Sequence, residues 1–235
     1  MNVAIIVAAG RGTRLGGERA KQFLLLAGKP VIVHTLERFE RCAEIQEVIV
    51  VLPAGEAAGF LAQAGRYGLR KLARVVAGGA TRAASVRCGL QAVRAATACV
   101  VAVHDGVRPF VTPDEIGRTV RAAAETGAAI LVAPAVDTIK EVEDNGVVRT
   151  LERVRLRRAL TPQCFRYELL RRAYEQRPDL VSAATDDSSL VEALGSPVRI
   201  IEGDARNIKI TRPEDIALAE ILLKQHPEFR SQNSD

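Results

Sequence analysis

Apolar residues in this chain gather into short unbroken runs. Each run leads into a polar stretch and then a segment of helical period. The runs are Val3–Val7, Val48–Leu52, Leu72–Val76, Cys99–Val103 and Ala128–Val132. None of them alternates with polar residues, so each predicts a strand buried on both faces, as in a parallel sheet covered by helices. Between the runs, Pro30 predicts a helix start, followed by Val31, His34, Leu36 and Phe39 on one face. Ala57–Ala64 predicts a short helix, and Thr81 caps one carrying Val86, Leu90 and Val93. Pro113 starts another that runs to about Glu125. Sheets of this kind bind ligands beyond the carboxyl ends of their strands. The polar clusters after Val7, Val76 and Val103 all fall at such ends.

From Asp137 the texture changes. D-T-I-K-E-V-E-D-N-G-V-V-R-T-L-E-R alternates around Asp144-Asn145-Gly146, and Asn-Gly is a strong hairpin signal. A solvated hairpin and an arm that pairs with another subunit both fit it. Beyond it the pattern predicts a helix over Phe165–Gln176, a capped helix after Thr185-Asp186-Asp187, a strand over Val198–Ile201 and a last helix from Pro213 to about Lys224. The expected class is α/β, a Rossmann-like, mostly parallel sheet flanked by helices. One domain spans 1–226, with a projecting β-hairpin arm at about 137–157 and a flexible polar tail at 227–235.

Composition narrows the picture a little. The 235 residues are 48% hydrophobic, with six Phe, three Tyr and no Trp, so the core must be built from aliphatic residues. The net charge of +5 suits anionic ligands. The basic residues are dispersed and aromatics are scarce, which argues against a nucleic-acid partner. The four cysteines, Cys42, Cys88, Cys99 and Cys164, show neither zinc nor disulfide spacing, and Cys99 reads as a core residue. No apolar run reaches the ~18 residues of a membrane span, and no signal peptide is visible. A reducing cytoplasm is the expected compartment.

The chemistry concentrates in V-A-A-G-R-G-T-R-L-G-G-E-R-A-K-Q-F, from Val7 to Phe23. Gly10, Gly12, Gly16 and Gly17 allow close backbone approach to a ligand, and such a turn makes an anion-binding concavity. Arg11, Arg14, Arg19 and Lys21 add cations, which suggests a polyphosphate. A dinucleotide-binding turn fits less well, because the third glycine falls one residue late and the cations would serve no purpose there. A Walker loop fails for want of G-K-[ST]. In G-G-A-T-R-A-A-S-V, backbone N–H groups and Ser85 could read a base or an anion, or the segment is an ordinary strand-to-helix turn. In H-D-G-V-R-P, Asp105 could sit beside a magnesium–phosphate complex or merely cap a turn, and His104 reads as structural. Arg153 and Lys209 are distant cations in polar settings. Lys209 alternates with Ile208 and Ile210, a placement that ordinarily points to solvent.

As an ordered set these motifs resemble the 2-C-methyl-D-erythritol 4-phosphate cytidylyltransferase family. The matching pieces are A-A-G-R-G-T-R-L with K-Q-F, G-G-A-T-R-A-A-S-V, H-D-G-V-R-P, A-P-A-V-D-T-I-K, L-E-R with A-L-T-P-Q, A-T-D-D-S and N-I-K-I-T-R-P-E-D. The resemblance implies a nucleotidyltransferase-type fold. It implies cytidylyl transfer from CTP to methylerythritol 4-phosphate, a Mg2+ ion, and a homodimer whose arms reach the partner. It matches Arg14 and Lys21 to transition-state stabilisation. Ala8, Ala9, Gly10, Gly79, Ser85 and Asp105 match the nucleotide side, with Asp105 also near the metal. Thr138, Arg153, Thr161, Thr185 and Lys209 match the acceptor side. Ala80, Ala83, Val107 and Arg157 depart from the common pattern. A ribitol 5-phosphate cytidylyltransferase and a non-catalytic nucleotide-binding protein are the alternatives.

Overall fold

A computed structural model describes residues 1–10, 20–176 and 178–225. Seven strands form one sheet: β1 (Val3–Val7), β4 (Glu47–Leu52), β5 (Leu72–Ala77), β6 (Val100–Asp105), β7 (Ala128–Pro134), β10 (Arg157–Arg166) and β11 (Arg199–Glu202). Their order is β11-β7-β10-β6-β1-β4-β5. β1 pairs in parallel with β4 and β6, β4 with β5, and β7 with β11. Only β10 runs antiparallel, between β6 and β7.

Unalternating strands need cover on both faces, and β1 shows how that is met. Ala4 and Ile6 point into one core and Val3 and Ile5 into the other, because successive side chains leave opposite faces. Helices α1 (Val31–Arg41), α2 (Ala57–Ala64) and α4 (Pro113–Thr126) supply Ile32, Leu36, Phe60 and Ile116 to the first core. Helices α3 (Arg82–Gln91), α5 (Tyr167–Tyr174), α6 (Pro178–Ala183) and α7 (Asp187–Glu192) supply Val86, Leu170, Val181 and Leu190 to the second. A third cluster joins Leu26, Val31, Val107, Phe110, Ile210 and Ala219. It binds the small hairpin β2 (Leu25–Leu26) and β3 (Lys29–Pro30), and the last helix α8 (Pro213–Gln225), to the loop after β6.

The arm consists of β8 (Lys140–Glu143) and β9 (Gly146–Thr150), paired with each other and exposed throughout. Its turn residues are Asp144 and Asn145, at φ 45° and 63°. Two successive positive φ values suit a two-residue hairpin turn and favour Asp and Asn. The turn therefore lies one residue before the Asn-Gly pair, and Gly146 begins β9.

Three expectations are corrected. The segment A-L-T-P-Q-C-F belongs to β10, and the following helix starts only at Tyr167. Pro162 falls where the pairing register shifts between Ala159 and Gln163, a place where a strand tolerates a residue without an N–H. Pro30 closes β3 and caps α1 instead of occupying its first turn. Cys99 is exposed just before β6, while Cys42 and Cys164 are the buried thiols. Helix α6 carried no sequence signal strong enough to separate it from its surroundings. The polar tail lies outside the described residues.

Candidate active site

A cleft of 770 Å³ opens where β1, β5 and β6 end. From the first strand end it is lined by Ala8, Ala9 and Gly10, and from the second by Gly79 and Ser85. Asp105 lines it from the last residue of β6, and Lys21 and Lys209 from the connections. The strand-end clusters thus meet at one place. Gly78 shows why a glycine is needed there, since a Cβ on it would collide with the Cβ of Ala9 on the neighbouring turn. Thr81 caps α3 by accepting from the Ala84 N–H at 3.0 Å. The buried Ser85 hydroxyl donates back to the Thr81 carbonyl at 2.9 Å, and its lone pairs remain available to accept. Lys21 begins a short 3-10 turn, Lys21–Phe23, whose Phe23 ring packs against Phe60 on α2 at 6.2 Å.

Asp105 is the electrostatic centre. Its carboxylate lies 3.3 Å from Arg82 Nε, 3.2 Å from Arg108 Nε and 2.9 Å from Lys209 Nζ. Burial alone would raise this carboxyl, but the Arg82, Lys209 and Arg108 charges outweigh it and hold it well below the usual carboxylate range. Lys209 reaches it because the Ile210 N–H bonds the Val107 carbonyl at 2.9 Å, so Ile210 points into the third cluster and Lys209 the other way. Lys209 does point away from its apolar neighbours, but a carboxylate stands there instead of open solvent.

His104 precedes Asp105 and is fully buried, and burial pushes its imidazole down to about 4. Its Nε2 lies 3.1 Å from the Arg108 carbonyl, which can only accept, so Nε2 carries the proton. Nδ1 then accepts from the Thr161 hydroxyl at 3.0 Å, and Thr161 Oγ1 accepts from the Asp105 N–H at 3.2 Å. Thr161 is thus buried beneath the cleft with its hydroxyl engaged. The unfolded chain protonates this imidazole near the ordinary 6.5, the folded one only near 4. Its contribution to stability is therefore complete above pH 6.5 and is lost as pH falls towards 4, by about 3 kcal/mol at most. His104→Gln keeps an Nε2 donor and should flatten urea stability between pH 7 and 4. An unchanged slope in that variant would remove His104 as its source.

Gln163 on β10 secures the start of α7. Its Oε1 accepts from the Asp187 and Ser188 N–H groups at 3.0 Å each, and its Nε2 donates to Asp186 at 2.7 Å. This fixes Thr185, which is exposed just before that helix. Thr138 and Arg153 are exposed at the base of the arm and do not line the cleft. Arg153 donates to the Val136 carbonyl at 2.8 Å. Arg14 lies outside the described residues.

Among the described residues no group of three His, Cys, Asp or Glu side chains could cage a metal. Both Asp105 oxygens already face cations. Such residues could accept a magnesium ion only if substrate phosphates carried most of its coordination, with Asp105 the one carboxylate among the described residues that line the cleft.

Sequence reasoning missed Arg82, Arg108, Gln163 and Asp187. Arg82 and Arg108 stand inside motifs quoted for other residues. Their partners could not be read from spacing, since Arg82 pairs with Asp187 105 positions away.

A mostly parallel sheet with a cation-rich cleft beyond its strand ends is an arrangement suited to a phosphorylated ligand. A profile of the 2-C-methyl-D-erythritol 4-phosphate cytidylyltransferase family matches residues 2–225. The enzyme of that name from Pelotomaculum thermopropionicum is 46% identical over 223 residues, covering 94% of this chain and 93% of that one. The one from Geobacter metallireducens is 46% identical over 225 residues, covering 94% and 97%. The crystal structure of 4-diphosphocytidyl-2C-methyl-D-erythritol synthase from Anaerococcus prevotii superposes with a TM-score of 0.83 at 32% identity, covering 95% and 96% of the two chains. That of the cytidylyltransferase from Thermus thermophilus gives 0.75 at 36% identity, covering 94% and 98%. The chain belongs to the 2-C-methyl-D-erythritol 4-phosphate cytidylyltransferase family.

Proposed function

We propose that this protein transfers the cytidylyl group of CTP to 2-C-methyl-D-erythritol 4-phosphate. The products are 4-diphosphocytidyl-2-C-methyl-D-erythritol and pyrophosphate, a step of non-mevalonate isoprenoid precursor synthesis. The observation that carries this reading is the meeting of Lys21, Asp105 and Lys209 at one cleft in a chain of this family. The test is pyrophosphate release from CTP with methylerythritol 4-phosphate and, separately, with ribitol 5-phosphate. Turnover with the first acceptor is expected, and a clear preference for the second would reassign the substrate.

The acceptor phosphate is anionic at neutral pH, so its oxygen can attack the α-phosphorus without a general base. In support, the two histidines among the described residues, His34 and His104, are buried and hydrogen-bonded. What remains is to bring two anions together in line and to stabilise the charge that moves to the leaving group. Ala8, Ala9 and Gly10 hold the triphosphate, with Gly79 and Ser85 on the cytosine side. Lys21 is the compact charge at the α-phosphate, and Arg14 grips phosphate oxygens with its planar fork. Lys209 and Arg153 position the attacking phosphate, assisted by Thr138 and Thr185, with Thr161 supporting Asp105 from below. Magnesium held by the CTP phosphates beside Asp105 would neutralise the departing pyrophosphate.

The enzyme works as a homodimer, each arm completing the partner's site. In support, Thr138 and Arg153 stand away from their own chain's cleft, and the arm exposes Val142, Val147, Val148 and Val154. Arg153→Ala should mainly raise the KM for the acceptor. Mixing inactive Lys21→Ala and Arg153→Ala chains should restore about a quarter of wild-type activity at low acceptor concentration. Half the dimers would then be mixed, and each mixed dimer would hold one intact site. No recovery after subunit exchange would place Arg153 in its own chain's site.

No helix among the described residues is long and apolar enough to cross a membrane. The four cysteines are unpaired with one another, consistent with work in the cytoplasm.

A further inference from the structure

Among the described residues, three cations, Arg82, Arg108 and Lys209, meet two carboxylates, Asp105 and Asp187, at the base of the cleft. Two of the cations are tied twice. Arg82 donates to Asp105 at 3.3 Å and to Asp187 at 2.8 Å. Arg108 donates to Asp105 at 3.2 Å and to the Asn207 carbonyl at 2.8 Å. Lys209 pairs with Asp105 alone, and its side chain is the most exposed of the three, at 38% against 29% and 12%. Asp187 has no exposure, and its second oxygen accepts the Tyr174 hydroxyl at 2.5 Å. With Lys209 taken away, two cations still face two carboxylates. The lysine is the surplus charge and the least tethered.

We propose that Arg82, clamped by Asp187 and Tyr174, is a positioning residue that keeps Asp105 compensated so that Lys209 can leave it for the acceptor phosphate. This rests on Lys209 being a phosphate-binding cation. Without Arg82, withdrawing Lys209 would leave the two carboxylates only Arg108, and an uncompensated charge in a buried setting is costly. Lys209 would then stay on Asp105 and compete with the substrate. Tyr174 acts at one remove, since its hydroxyl orients the Asp187 carboxylate that holds Arg82.

The test is a double-variant cycle of Arg82→Gln and Lys209→Ala, reading the KM for methylerythritol 4-phosphate and for CTP separately. Arg82→Gln should raise the acceptor KM at least about fivefold, the lower end of ordinary coupling between interacting sites, with CTP KM unchanged. In the Lys209→Ala background it should add nothing further. Arg82→Lys, which restores the charge without the fork, should recover part of the loss. Additive penalties, or a loss confined to CTP KM, would overturn the role of Arg82. An acceptor KM untouched by Lys209→Ala alone would instead overturn the phosphate reading beneath it. Should Arg82→Gln not fold, Tyr174→Phe takes its place in the same cycle. It should give a smaller rise in acceptor KM that vanishes in the Lys209→Ala background, and no rise would refute the clamp.

Discussion

Lys21→Ala should lower kcat by at least ~100-fold, the scale of losing one preorganised charge donor. Lys21 lines the cleft on the short turn that follows the glycine segment, and the turn is anchored by Phe23 on Phe60. Its position therefore depends on packed core and not on a free loop tip. The loss should appear in kcat more than in the KM for CTP, because charge on the leaving side develops during transfer and not on binding. Single-turnover measurements with saturating CTP and acceptor would check it. Near-normal turnover would remove Lys21 from the chemistry.

Asp105→Asn should damage both fold and activity. The substitution preserves shape but leaves Arg82, Arg108 and Lys209 converging on a neutral amide. Breaking a buried pair by removing one partner costs about 3–5 kcal/mol, and the partial exposure of the cations argues for the lower end. About 3 kcal/mol corresponds to a fall in Tm of roughly 6–12 °C in a chain of this size. Turnover should fall with it, since Lys209 loses the group that holds it at the cleft before substrate arrives. Calorimetry on Asp105→Asn and Lys209→Ala side by side separates the two effects. The lysine variant removes a charge the floor can spare and should unfold close to wild type. An equal loss of stability in both would contradict that division.

Much of the fold was legible because its signals are local. Strand runs, glycine turns, the Thr81 cap and the arm's turn each depend on neighbours a few residues away. The antiparallel strand β10 was not legible. Phe165 was expected to open a helix, and the segment is a strand because β6 and β7 leave a gap that its Leu160–Phe165 residues fill. Cys99 was misplaced for the related reason that an apolar run does not reveal where its first buried residue lies.

The site divides along the same line. By itself the sequence determined that three polar clusters stand at strand ends, that cations follow the glycine turn, and that the ordered motifs match one family. Only the tertiary structure decided which charges meet. Asp105 draws together Arg82 from α3, Arg108 from the following loop and Lys209 from beyond β11, while Asp187 and Tyr174 brace the first of them. Coulomb interaction depends on distance in space and on the surrounding dielectric, and neither is written in chain separation.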